Sequence, residues 1–359
     1  MIILGIETSC DETGVGIIEK KGDKLNLLSN VVASSLALHS QNGGIIPELA
    51  AREQVKFMIP VLQQALDDAF SFKLFESTKS IPPLDAIAVT YGPGLIGSLL
   101  VGVETAKTLS FLWRKPLVPV NHMHGHISAN FIGKIASLSK HASNKSEQIL
   151  FPALILVVSG GHTDLLLMRN YGNFEVIGGT RDDAAGEAFD KIARLLGLPY
   201  PGGPSISQAA SNGNEKFIHF PRPLIHEDNF DFSFSGLKTA VYREVEKYQQ
   251  DVNNLSPQLI NDLSASTQAA IVDVLVKKTL KAANIYKVES ILLSGGVAAN
   301  NLLRQTFLEQ TTEQLPKTKV FAPSKIFCTD NGAMIAAAGA LDYKPMPWQD
   351  ITADAQLYY

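Results

Sequence analysis

Three stretches of the chain repeat one pattern, a short run of aliphatic and β-branched residues that breaks into small and polar ones. Residues 2–6 run into Glu7-Thr8-Ser9-Cys10-Asp11-Glu12, residues 154–158 into Ser159-Gly160-Gly161-His162-Thr163, and residues 291–293 into Ser294-Gly295-Gly296. After the first two, a second apolar run follows at once (15–18 and 165–168), which is the signature of a hairpin. The pattern predicts an α/β fold of two similar halves, each opening with strand, turn and strand. Residues 85–90 predict a buried strand. Gly92-Pro93-Gly94 should turn it into a helix with Leu95, Leu99, Val103 and Ala106 on one stripe. Residues 48–69 have a helical stripe of Val55, Met58, Ile59, Leu62 and Leu66, which Pro60 is expected to kink or end. Ala265, Ala269, Val272 and Val276 mark a further helix. Residues 134–147, rich in Ser, Lys and Asn, have no period and are expected to form an exposed linker.

At 359 residues, 45% hydrophobic and 18% charged, the chain has the composition of a folded protein of about two domains or lobes. Its net charge of −4 supplies no global positive field for nucleic acid or an anionic membrane. A nucleic-acid partner must therefore be held by a local patch or by another subunit. Cys10 and Cys328 form neither a disulfide framework nor a CxxC pair, which suits reduced thiols. The opening strand lacks a signal or transit pattern, and no run approaches the roughly 18 apolar residues of a membrane helix. The expected location is the cytoplasm, with no membrane partner.

Candidate chemistry gathers at a few positions. His122, His124 and His126 stand where an apolar run ends and a helix over about 127–135 could begin. On a helix His122 and His126 face one way, and on an extended chain all three do. Either geometry lets two imidazoles share a metal ion if a third ligand arrives from elsewhere, while solvated loop histidines are the plain alternative. Met123 stands where a zinc peptidase helix needs its glutamate, which disfavours that class. Asp330, before the apolar run 333–340, reads as a helix N-cap or as the missing oxygen ligand. Glu7, Asp11 and Glu12 on the first hairpin turn suggest contact with a cation or with an amine to be activated, or only a solvated turn. Asp182, Asp183, Glu187 and Asp190 repeat the theme, with capping as one role for Asp183 or Glu187. The two Ser-Gly-Gly turns can bring backbone N–H groups to phosphate oxygens or be ordinary turns. Gly202-Gly203-Pro204 and Phe232-Ser233-Phe234-Ser235-Gly236 read as loops. P-loop and nucleophile-elbow motifs are absent from the sequence.

Ten motifs in order carry a resemblance. They are ETSCDET at 7–13, NGGIIPELAAR at 42–52, YGPGLIGSLLVG at 91–102, NHMHGH at 121–126, VSGGHT at 158–163, GEAFDK at 186–191, YPGGP at 200–204, DFSFSGLKTA at 231–240, SGGVAAN at 294–300 and CTDNGAM at 328–334. By these the chain closely resembles the bacterial and organellar tRNA N6-adenosine threonylcarbamoyltransferases. The absent presequence points to the bacterial side. The resemblance implies the two-lobed α/β fold of actin, heat-shock-70 proteins and sugar kinases, with duplicated mixed-sheet lobes. Its expected bounds are 1–133 for the first lobe, completed by a helix at about 330–343, then a linker at 134–149 and a second lobe at 150–329.

The implied reaction moves the threonylcarbamoyl group from threonylcarbamoyl-AMP to N6 of adenosine 37 in tRNAs reading codons that begin with A, releasing AMP. Carried over residue by residue, His122, His126 and Asp330 match the family's metal ligands. Val158, Ser159, Gly160, Gly161, His162, Asp190, Gly203 and Asn300 match its nucleotide and acyl-adenylate contacts. Asp11 and Glu12 match acidic positions tied to activity. The implied cofactors are one divalent metal ion, Fe2+ ahead of Zn2+, and a nucleotide between the lobes, threonylcarbamoyl-AMP, AMP or ATP. The implied partners are tRNA, a paralogous actin-like subunit docking on the first lobe, a small P-loop ATPase, and a separate synthase that makes threonylcarbamoyl-AMP. Two positions depart from the pattern. His124 stands where the family commonly has Glu, and Gln54 replaces the usual His. A small-molecule kinase of the same superfold would share the turns without needing two histidines and Asp330. A non-catalytic scaffold would not need to keep them, and a glycoprotease is weakened by the missing glutamate.

Overall fold

The computed structural model of the chain describes residues 1–41, 44–74, 81–133, 148–248 and 255–359. The stretch 134–147 expected as a linker lies outside them. The chain divides into two compact units, Met1–Ile135 with Pro323–Tyr359, and Ala136–Ala322.

The first unit opens with β1 (Ile2–Glu7), β2 (Glu12–Lys21) and β3 (Lys24–Ser34), followed by α1 (Leu36–Gln41), α2 (Pro47–Phe70), β4 (Ala86–Gly92), α3 (Ile96–Trp113), β5 (Leu117–Asn121) and α4 (His122–Ser128). Its sheet runs β3-β2-β1-β4-β5. β1 to β3 form an antiparallel meander, and β4 and β5 add in parallel. Side chains alternate across β1, and both faces are covered. Leu4 and Ile6 pack with Leu62, Leu66 and Val103 on one face, while Ile3 packs with Ala333, Ala336 and Ala337 on the other. That double burial is why these strands read as unbroken apolar runs.

The second unit repeats the plan. β6 (Ala153–Val158), β7 (Thr163–Asn170) and β8 (Asn173–Gly179) lead to α5 (Ala185–Leu195), α6 (Gly202–Ala210), α7 (Ser235–Tyr248) and α8 (Pro257–Tyr286), then β9 (Ser290–Ser294), α9 (Asn301–Gln314) and β10 (Lys319–Phe321). Its sheet order, β10-β9-β6-β7-β8, places the strands as in the first sheet, with the same antiparallel and parallel pairings. The expected duplication of mixed-sheet halves is therefore present. α8 is long and apolar enough to cross a membrane by length and composition, but 67% of that window is buried inside the protein, as in a core helix.

The chain then returns to the first unit with α10 (Gly332–Leu341), which packs on β1 and β2. The approach is backbone against backbone. A Cβ on Gly16 would stand 2.1 Å from the Ala333 nitrogen, and one on Gly332 would stand 2.1 Å from the Gly16 nitrogen. Only glycine permits this contact, and it sets the height of Asp330 beside α4.

Several local expectations are corrected. Pro60 lies inside α2 on its exposed side, and the helix continues to Phe70. The α2 stripe splits, with Met58, Leu62 and Leu66 in the core but Val55 and Ile59 facing solvent. The helix expected over 127–135 starts five residues earlier and ends at Ser128, because the Asn121 side chain accepts from the Met123 N–H and caps it there. Gly202-Gly203-Pro204 opens α6 and Ser235 opens α7, so neither segment is simply a loop.

Candidate functional site

Glu7 ends β1, Thr90 lies on β4, and His122 follows β5 directly, so three neighbouring parallel strands deliver their C-terminal ends to one place. That is where open α/β sheets present ligand-binding groups. On α4, His122 and His126 stand four residues apart on one face, with ring centroids 4.6 Å apart and planes at 79°. From α10's side comes Asp330, its Oδ1 3.1 Å from His126 Nε2 and 3.6 Å from His122 Nε2. One donor atom from each of the three residues lies within 4.8 Å of the others.

The capping expected of Asp330 falls instead to Asn331, whose Oδ1 accepts from the Met334 N–H. Asp330 is thereby left to face the histidines. Burial pushes its carboxyl up, but the charge of His122 and the hydrogen bond and charge of His126 outweigh this and hold it well below the usual carboxylate range. For His122, burial would lower the imidazole, yet the carboxylates of Glu7 and Asp330 raise it to about 9. With the Glu7 carboxylate at Nδ1 and the Asp330 carboxylate toward Nε2, the pocket around this ring suits positive charge. Two imidazole nitrogens and a carboxylate oxygen at this spacing also form a donor set suited to a divalent iron or zinc ion. The residues fit a metal.

Asp11 and Glu12 flank the same cluster. Glu7 and Glu12 belong to strands, so the expected acidic turn is only residues 8–11. Burial raises the Glu12 carboxyl, and the charges of Asp330 and Asp11 add to it. Burial and the same carboxylates push the Cys10 thiol up, so it is held as a neutral thiol. Gln54, fully buried on α2, donates from Nε2 to the carbonyls of Thr8, Cys10 and Glu12, and so clamps the turn from beneath. Residue type alone could not reveal Gln54, Thr90 or Ser9 as parts of this site, since each earns its place through partners at least 40 residues away or through burial.

In the second unit, Ser159-Gly160-Gly161-His162 closes the β6–β7 hairpin, with the Ser159 N–H donating to the His162 carbonyl. Gly295, at φ +89°, runs so close to β6 that a Cβ there would lie 2.4 Å from the Val158 carbonyl oxygen. α5 starts at the same point, its Gly186 N–H donating to Ser159 O and its Ala185 N–H to Thr163 Oγ1. Two glycine turns and a helix N-terminus thus converge, an arrangement suited to phosphate. Gly160, Gly161, Gly203 and Gly296 have open space where a side chain would be. Asp190 accepts from the Gly202 N–H at the start of α6, and burial raises its carboxyl. Asn300 caps α9 and donates to Gln268 Oε1. Asp183 precedes α5, and Lys191 pairs with both Asp183 and Glu187. Asp182 instead reaches α7, accepting from the Phe234 and Ser235 N–H groups and from the Ser233 and Ser235 hydroxyls.

Residues 26–337 match the family described as TsaD, tRNA N6-adenosine threonylcarbamoyltransferase. The chain belongs to this family. A tRNA N6-adenosine threonylcarbamoyltransferase of Anoxybacillus flavithermus (strain DSM 21510 / WK1) is 48% identical over 341 residues, covering 95% of this chain and 92% of that protein. One of Listeria monocytogenes serotype 4b (strain CLIP80459) is 46% identical over 342 residues, covering 95% and 91%. Among solved structures, full-length HypF in a phosphate- and nucleotide-bound form has a TM-score of 0.57 at 14% identity, covering 97% of this chain and 56% of that one. The chain spans about half of that protein's length, and the likeness is one of fold alone.

Both departures from the threonylcarbamoyltransferase pattern have a place in the structure. The His124 ring stacks toward Tyr359 (6.4 Å, 25°), outside the donor set of His122, His126 and Asp330. Burial lowers it to about 4, so it is neutral. Gln54 replaces an imidazole with an amide that serves the acidic turn.

Proposed function

We propose that this chain transfers the threonylcarbamoyl group from threonylcarbamoyl-AMP to N6 of adenosine 37 in tRNAs reading codons that begin with A. The observation that carries the reading is the convergence of His122, His126 and Asp330 in a chain of this family. The N6 amine attacks the carbamoyl carbon, the bond from that carbon to the adenylate phosphate oxygen breaks, and AMP leaves with the electron pair. The N6 proton passes to the carboxylates of Asp11, on that turn, and Glu12, at the start of β2.

His122, His126 and Asp330 would hold a divalent ion, Fe2+ ahead of Zn2+. When bound, such an ion supplies a Lewis acid toward the threonylcarbamoyl moiety. The turns at Val158, Ser159, Gly160, Gly161 and His162, with Gly295, hold the adenylate phosphate through backbone N–H groups. Asp190, Gly203 and Asn300 complete the nucleotide contacts.

The enzyme works in the cytoplasm with a paralogous actin-like subunit, a small P-loop ATPase and a separate synthase of threonylcarbamoyl-AMP. Two features support the need for partners. The net charge of −4 leaves phosphate neutralisation to a local patch or another chain. Val55 and Ile59 on α2, with Ile96 and Leu100 on α3, also expose apolar surface on the first unit.

The test supplies threonylcarbamoyl-AMP and unmodified tRNA, with and without the partners, and measures the modified nucleoside. Nucleoside formed by the mixture but lost with His122→Ala supports the reading. No product under any combination overturns it.

A further inference from the structure

Glu7 is a carboxylate with no exposed surface, and a charge in that position persists only if its oxygens are satisfied. Oε1 accepts from the Ser9 N–H. Oε2 accepts from the Thr90 hydroxyl at 2.6 Å and lies 3.1 Å from His122 Nδ1. We propose that Glu7 is a positioning residue for the metal centre: it holds the His122 ring by its Nδ1–H, so that when a metal ion displaces the proton on Nε2, the nitrogen that faces Asp330, the lone pair left there is the one that ligates. The inference rests on the reading of His122, His126 and Asp330 as metal ligands and deepens it.

A neutral imidazole offers a lone pair on one nitrogen only, and the partner of the other nitrogen decides which. Both donors to Glu7 other than His122 are fixed by the backbone. Ser9 follows on the turn after β1, and Thr90 sits on β4, whose register beside β1 pairs Ile6 with Val89. The carboxylate is therefore locked before His122 meets it, and the ring must present its N–H to Oε2. His126 differs, because its Nδ1 is buried with no hydrogen-bond partner among the described residues. The two rings are thus unequal at Nδ1, where His122 meets a carboxylate and His126 meets no partner among the described residues. Metal-bound histidines are commonly oriented in this way, and loss of such a partner costs about 10–100-fold in metal affinity.

The variant that tests this is Glu7→Gln, which keeps the shape. An amide has one oxygen, so either the Ser9 N–H or the Thr90 and His122 side faces an NH2 group. An NH2 facing His122 donates to Nδ1, moves the ring proton to Nε2 and blocks ligation.

Zn2+ alone is titrated into the full chain against a chelating dye, for wild type, Glu7→Gln and His122→Ala. In Zn2+-loaded protein with 15N-labelled histidine, the His122 Nδ1–H is expected as a low-field, exchange-protected proton resonance. The expected result is that Glu7→Gln binds Zn2+ about 10–100-fold more weakly than wild type and shifts or loses that resonance. Unchanged affinity and resonance in a folded Glu7→Gln overturns the inference and leaves the metal reading standing. Wild type that binds no Zn2+, or His122→Ala that binds as wild type does, overturns both. Should Glu7→Gln not fold, Glu7→Asp keeps the charge but withdraws the acceptor by one methylene. Weaker Zn2+ binding with a shifted resonance then supports the inference, and unchanged values overturn it.

Discussion

At the scale of single residues, the candidate centre lies against one wall of the first unit's core while its polar atoms face one another. His126 is 2% and His122 is 9% exposed, and neither fills the apolar layer between the sheet and α2. His122→Ala and Asp330→Ala are therefore expected to lose bound metal and transfer activity while keeping a cooperative unfolding transition. Metal content per purified chain and a thermal melt check this together, and wild-type metal stoichiometry in either variant would remove that residue from the ligand set. His124→Glu should keep metal and activity, because the ring it replaces faces Tyr359. Loss of metal there would place His124 among the ligands.

The elements carry these residues by two kinds of contact. α10 reaches the β1–β2 hairpin only because Gly16 and Gly332 let the backbones touch, so Gly16→Ala must push the helix outward. A loss on the order of 1–3 kcal/mol is expected from such overpacking, read from the urea midpoint, with a fall in metal content because Asp330 moves with the helix. An unchanged midpoint would mean that the close approach is absent in solution. At the start of α7, Asp182 acts as a cap supplied from another element. Burial raises its carboxyl, but hydrogen bonds from Ser233, Phe234 and Ser235 more than offset this and hold it low. A carboxyl held low in the folded state contributes stability above its unfolded value near about 4, and that contribution fades as the pH falls through the folded value. Asp182→Ala should thus cost about 1 kcal/mol at pH 7, as loss of a cap does. The gap to wild type should narrow at pH 3 in urea unfolding. A gap of equal size at both pH values would rule out an ionised cap.

For the whole molecule, what matters is the surface left uncovered. Leu99 and Val103 of α3 and Met58 and Leu62 of α2 are in the core, while Val55, Ile59, Ile96 and Leu100 of the same helices are exposed. Ordinary core burial explains the first group and leaves the second without a role in this chain's own packing. Val55→Asp with Ile59→Asp is expected to weaken association with the proposed paralogous subunit at least about tenfold, or about 1.4 kcal/mol, with the melting temperature of the isolated chain unchanged. Calorimetry of the pair checks it, and undiminished binding would place the interface elsewhere.

Local sequence determined much of this protein. Alternating and unbroken apolar runs marked the paired hairpins, because strand burial repeats every two residues and needs no distant information. The four-residue spacing of His122 and His126 allowed a shared face on a helix or on an extended chain, and the cap at Asn121 decided for the helix. Contacts across the fold decided the rest. Asp330 read as a cap or as a ligand, and the tertiary structure gives the cap to Asn331 and turns Asp330 to the histidines. Glu7 read as one of three turn carboxylates until β4 placed Thr90, and the end of β5 placed His122, against it. Gln54 read as a lost imidazole, yet its amide reaches three carbonyls at least 42 residues earlier in the chain. In each case the side chain's role is set by a partner far away in sequence, and the energy of a buried polar group depends on that partner more than on the residue itself.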